Sequence, residues 1–266
     1  MTFRLLFGLL LTGIAAASAP AKDTSDLLRP IRAEEAVTIR PDKAYLLIRI
    51  DLRGTTQDPV ILREPDAAEL ARYEGARAAA FAKRGSKGSI ESFVFDYDGP
   101  PNLFILSHGK SISSDKNQAT VLVEARPGDY VLYGQGFGKV LFQCHCLGTV
   151  GFAAAPGVVT DLGTYLSDDA SKPSVYPELA GETNLGPTAR MDFVLFAGGL
   201  VPASAGQALP TGVDRSTIRA AQFHAVGPFV DPNVWHINRL AAIPGVLRYD
   251  GGKVIDVASG KEAPPR

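Results

Sequence analysis

The stretch Leu46-Leu-Ile-Arg-Ile-Asp-Leu-Arg53 decides how this chain is read. Leu46, Ile48, Ile50 and Leu52 fall on one side of an extended backbone. Arg49, Asp51 and Arg53 fall on the other. A period of two with one apolar and one charged side predicts a half-buried strand. Short runs of the same kind recur downstream: 60–63, 93–97, 103–106, 120–124, 130–133, 140–146 and 149–153, with 158–162 as one more. Turns rich in Gly and Pro separate them, such as Asp98-Gly-Pro-Pro-Asn102. Short strands at this spacing predict a mainly β fold, an antiparallel β-sandwich of the Ig-like or jelly-roll-like kind.

One segment breaks the period. Pro65 and Asp66 stand where a helix starts, and Glu69 follows three residues after Asp66. An Ala-rich stretch carrying Leu70, Tyr73 and Phe81 runs on to Gly85. This predicts one inserted amphipathic helix over about 65–84, covering an edge or end of a sheet. Ahead of the first strand, 23–35 reads as a polar lead-in.

The remaining organisation follows from composition. Residues 22–166 form the β domain with its helix. Residues 167–190 hold Ser, Asp, Pro, Gly and Thr with little periodicity and read as a loop or linker. Residues 191–266 form a C-terminal extension that packs on the β domain, with a strand at 192–196 and a loose stretch at 197–215. It ends in a hairpin around Asp250-Gly-Gly252.

The first 21 residues carry the pattern of a secretory signal peptide. Arg4 supplies the positive start, 5–17 is apolar, and Ala15, Ala17, Ala19 and Ala21 offer small-residue cleavage sites. The apolar run is too short for a membrane span of ~20 residues. The expectation is a protein exported to the periplasm or beyond, with no membrane span after cleavage. The whole chain has 266 residues, 45% of them hydrophobic, and balances 27 Lys and Arg against 28 Asp and Glu. That balance gives no electrostatic case for nucleic acid as partner.

Motifs for chemistry are sparse. Cys144-His-Cys146 is the weak metal or redox candidate, since thiolate and imidazole suit copper(I) or zinc. On a regular strand His145 faces away from Cys144 and Cys146, so a shared ion needs a break in the strand. Gly134-Gln-Gly-Phe-Gly-Lys-Val140 imitates a nucleotide loop but leads into a predicted strand, not a helix. No cofactor is expected. There is no G-x-S-x-G elbow and no H-E-x-x-H helix. His108, His224 and His236 are scattered. With Tyr133 and Trp235 they are the candidate binding residues. Tyr97, Tyr130, Tyr165, Tyr176 and Phe229 are further rings beside strands and loops, of the type that serve as platforms for glycans.

Three runs carry a resemblance: Gly128-Asp-Tyr-Val-Leu-Tyr133, Cys144-His-Cys-Leu-Gly-Thr149 and Pro156-Gly-Val-Val-Thr-Asp-Leu-Gly163. Together with Asn238-Arg-Leu-Ala-Ala-Ile-Pro-Gly-Val-Leu247 and Lys253-Val-Ile-Asp-Val257, they resemble uncharacterised exported β-rich proteins of proteobacteria, sphingomonads in particular. The resemblance implies an exported β-rich protein and no assigned activity. The expected function is therefore a non-enzymatic envelope or periplasmic module that binds an envelope protein or a cell-surface polymer. The alternatives are an exported hydrolase with a loop-built site, and metal or redox handling at Cys144-His-Cys146.

Overall fold

The computed structural model describes residues 28–85, 88–136, 143–144, 147–169, 173–180, 196–227 and 240–264. Fifteen strands and one α-helix are present among them. They are β1 (Leu28–Ile31), β2 (Ala44–Asp51), β3 (Asp58–Arg63), α1 (Ala67–Arg84), β4 (Leu103–Ile105), β5 (Ser113–Ser114), β6 (Gln118–Ala125), β7 (Gly128–Gly136) and β8 (Gln143–Cys144). There follow β9 (Val150–Ala154), β10 (Val159–Asp169), β11 (Phe196–Val201), β12 (Ile218–Ala220), β13 (His224–Ala225), β14 (Leu247–Asp250) and β15 (Lys253–Asp256).

The strands form a seven-stranded sheet ordered β1-β6-β2-β10-β11, with β5 beside β6 and β12 beside β10. A six-stranded sheet runs β13-β9-β7-β3-β4, with β8 beside β7. The hairpin β14–β15 stands alone as a pair, and Gly251 and Gly252 supply the two positive φ values (53° and 87°) that its tight turn requires. Both large sheets feed one apolar cluster. It takes Leu46, Ile48 and Ile50 from β2 and Ile61, Tyr130 and Phe152 from the other sheet, and Leu240, Ile243, Leu247 and Val254 join it.

The fold is mainly β, with most pairings antiparallel, but not all. β10 runs parallel to both β2 and β12, so the larger sheet is mixed. A strand in the middle of a mixed sheet is covered on both faces, and β2 is buried along its whole length. The expectation that Arg49 and Asp51 face solvent is thereby overturned. Tyr45 and Leu47 belong to a second apolar cluster covered by Val37, Ile39, Leu209, Val213 and Ile218. Arg49, 3% exposed, makes a two-pronged contact to Asp161 at 2.7 and 3.1 Å and also donates to the Ala208 carbonyl. Asp51 accepts from Arg53 and from the Tyr176 hydroxyl.

Three further readings are corrected. Residues 93–97 are not a strand. Their rings turn toward α1, where Phe93 meets Phe81 at 5.3 Å and Phe95 meets Tyr73 at 5.5 Å. Alternation produced by aromatic packing on a helix imitates alternation produced by a sheet. The lead-in 23–35 contains β1, which pairs with β6. The stretch 197–215 opens with most of β11. Gly198 and Gly199 read as breakers in sequence, yet a Cβ at either would press on Leu147, Tyr165 or Leu179, so their bareness is what lets β11 close on its neighbours.

The helix is as expected. Asp66 accepts from the Glu69 backbone at 2.8 Å, and Glu69 returns a carboxylate to the Asp66 N–H at 3.0 Å. Gly85 ends α1 in the left-handed conformation. No helix among the described residues is long and apolar enough to cross a membrane.

Candidate functional site

β3 runs straight into α1, and this short reversal brings Glu69 back over Arg63. Arg63 Nη2 lies 2.6 Å from both Glu69 oxygens. Both side chains are buried, and Arg126 approaches the same carboxylate at 3.4 Å. Burial works against the Glu69 charge, but the hydrogen bonds from Arg63 and from the Asp66 backbone outweigh it, and its pKa lies below the ordinary value. One turn further along α1 comes Tyr73, on the same face as Glu69.

Tyr97 meets Tyr73 edge to face, with ring centroids 5.1 Å apart. The two rings, Leu70, Pro100, Asn102 and the Arg63–Glu69 pair line a cleft of about 320 Å³. Tyr97 is 39% exposed, yet its ring is held. A Cβ on Gly99 would overlap it, so only glycine allows the chain to pass so close. Arg63 is 5% exposed, and its Nε–H has no partner. Because β4 pairs with β3, Asn102 is set beside Arg63, whose N–H donates to the Asn102 carbonyl at 2.8 Å.

The opposite end of the same strand pair carries the second arrangement. Asp58 opens β3, and His108 lies just beyond β4. One Asp58 oxygen accepts from the His108 backbone N–H at 2.8 Å and lies 2.6 Å from His108 Nδ1. Asp58 is fully buried, and its other oxygen has no partner. The His108 side chain is 34% exposed. The Tyr165 hydroxyl donates to Gln135 at 2.6 Å, and burial together with the Asp58 charge raises its pKa strongly. A carboxylate that orients an imidazole through Nδ1 is the supporting half of an acid–base site.

The other candidate residues separate. His224 opens β13, at one edge of the six-stranded sheet, whereas β4, leading to His108, forms the opposite edge. Four strand spacings of ~4.8 Å put these edges about 19 Å apart, so the two histidines do not share a site. The His224 ring packs beside Gly151. Tyr133 is half-buried on β7. Cys144 contributes backbone pairing opposite Gln135. His145, Cys146, Phe229, Trp235 and His236 lie outside the described residues, as do residues 1–21. Among the described residues no group of three His, Cys, Asp or Glu is placed to hold a metal ion. Tyr130 and Tyr165 are core rings, and Tyr176 braces Gly54 and Asp51. Among the described residues, Tyr97 is the ring considered from sequence that lines this cleft. Tyr73 was read only as a helix residue.

Two other cavities are described, one of about 300 Å³ beneath 203–209 and one of about 480 Å³ along β11 and 241–248. Neither is lined by His108 or His224. Comparison with known proteins finds no matching family model, no matching curated protein and no matching solved structure.

Proposed function

We propose that this chain is an exported, non-enzymatic binding module of the bacterial envelope, a two-layer β-sandwich that holds its partner in the cleft under α1. The observation that carries the reading is the held but exposed Tyr97 ring beside Tyr73 over a pre-formed floor. Binding sites are concave, largely pre-formed and lined by rings with a few placed polar groups. The pattern of residues 1–21 and the resemblance to exported β-rich proteins support the location. The test mixes purified protein with sedimentable envelope fragments from the native cell. The wild type pellets with them, and a Tyr73→Ala/Tyr97→Ala variant stays in the supernatant. Equal sedimentation of the two overturns the reading.

A hydrolase reading is favoured by one observation, the 2.6 Å contact between Asp58 and His108 Nδ1. It predicts turnover of a simple ester such as p-nitrophenyl acetate that falls at least tenfold in both His108→Ala and Asp58→Ala. Under the binding-module reading the two variants match the wild type.

A further inference from the structure

We infer that the cleft under α1 takes an uncharged, hydroxyl-bearing ring: a segment of neutral saccharide within a cell-surface polymer. This rests on reading the cleft as the binding site and adds the chemistry of what enters it.

Three features select the ligand. The first is the rings. Tyr97 is fixed by Gly99 behind it and by Tyr73 and Phe95 at centroid distances of 5.1 and 6.0 Å. A ring held in advance loses little freedom on binding. Its π face is electron-rich, and the C–H face of a sugar ring is the matching weakly positive surface.

The second feature is charge. Among the described residues, the ionised groups lining the cleft are Arg63 and Glu69, paired through two contacts of 2.6 Å. An anionic polymer would have to compete with Glu69 for Arg63, and Arg126, which also reaches Glu69 at 3.4 Å, is not among the residues lining the cleft.

The third is the unsatisfied donor. The Arg63 Nε–H is buried without a partner, on a side chain that lines the cleft. A buried donor left unpaired is costly, and a turn of the Arg63 side chain that brings it to an acceptor in the cleft recovers that loss. A purely apolar ligand offers no acceptor. A hydroxyl does, and Asn102 at the same wall adds an amide that both donates and accepts.

The experiment uses the full exported chain and the envelope fragments of the sedimentation assay. The fragments are divided and treated with periodate, which cleaves vicinal diols, with a muramidase, which cuts glycan strands, or with proteinase. Sedimentation is also read in 0.5 M NaCl. Loss of Tyr97-dependent binding after periodate or muramidase, with survival after proteinase and in salt, is the expected result. Loss after proteinase alone would mean a protein partner, and loss in salt would mean an ionic polymer. Either outcome overturns the saccharide inference while leaving the binding reading in place. If no Tyr97-dependent binding exists before treatment, the binding reading itself falls. Stacking energies of this kind predict that Tyr97→Ala weakens binding by roughly 2- to 10-fold or more and that Tyr97→Phe restores it to within about twofold. Rescue by Phe separates loss of the ring from loss of the fold.

Discussion

The two ends of the β3–β4 pair make the most instructive contrast in the molecule. At the Arg63 end, a buried cation and a buried anion are paired, and what remains is one unpartnered N–H donor of the guanidinium. At the Asp58 end, one carboxylate oxygen is satisfied by His108 and the other has no partner, so what remains is an acceptor. The same two strands thus leave a buried, unpartnered donor at one end and a buried, unpartnered acceptor at the other. Burial of charge is common to both; the unpartnered atom, a donor at one end and an acceptor at the other, is what differs.

The largest expected effect comes from breaking the completed pair. Glu69→Ala leaves Arg63 buried and uncompensated, and should lower stability by about 3–5 kcal/mol in urea unfolding. A loss under about 1 kcal/mol would show that the pair is not buried in solution. The same pair sets an acid limit. The Glu69 pKa is lower in the folded chain than its ordinary value of 4.5, so its contribution is present above that pH and is lost as pH falls through the folded value. Near-ultraviolet dichroism of the tyrosines should follow that acid transition, and Glu69→Gln should abolish this component of it.

The Asp58 end should give a smaller, asymmetric response. His108→Ala leaves a fully buried carboxylate with only a backbone N–H, a loss of about 1–3 kcal/mol. Asp58→Ala removes the charge together with its unpartnered oxygen and should be the milder of the two. The reverse order, again by urea unfolding, would dissolve the contrast. Removing the helix cap with Asp66→Ala should reduce stability by about 1 kcal/mol. A similarly modest effect on stability belongs to Tyr97→Ala, about 0.5–1.5 kcal/mol from its lost ring contacts with Tyr73 and Phe95. Its consequence is expected in binding, which marks the Arg63 end as a place where architecture and recognition are separable.

Legibility from sequence follows range. The α1 cap was readable because Asp66, Glu69 and Gly85 act on neighbours within one turn. β6, β7 and β9 were readable because each is a short run bounded by Pro-Gly or Gly-rich turns, a local signal. The parallel alliance of β2 with β10 was not, because nothing near Tyr45 points to Val159. Arg49 and Asp51 looked solvated for the same reason: Asp161 and Ala208, which meet Arg49, and Tyr176, which meets Asp51, are remote in sequence. Phe93, Phe95 and Tyr97 misled because rings packing on a helix repeat like a strand. Asp58 and His108 meet only because β3 pairs with β4, and Arg63 meets Glu69 only because the chain doubles back into α1. Sequence supplied one ring of the cleft, Tyr97, and not the cleft.

The position of β10 has a kinetic consequence. β2 and β10 lie side by side in the larger sheet, yet Tyr45 must wait for Val159 before that pairing exists. β1, β5 and β6 can join β2 earlier, but β11 and β12 attach only through β10. Closing so large a loop before any contact compensates for it makes folding slow. A chain that reaches its final topology late stays threadable for longer, a property that would suit the proposed export.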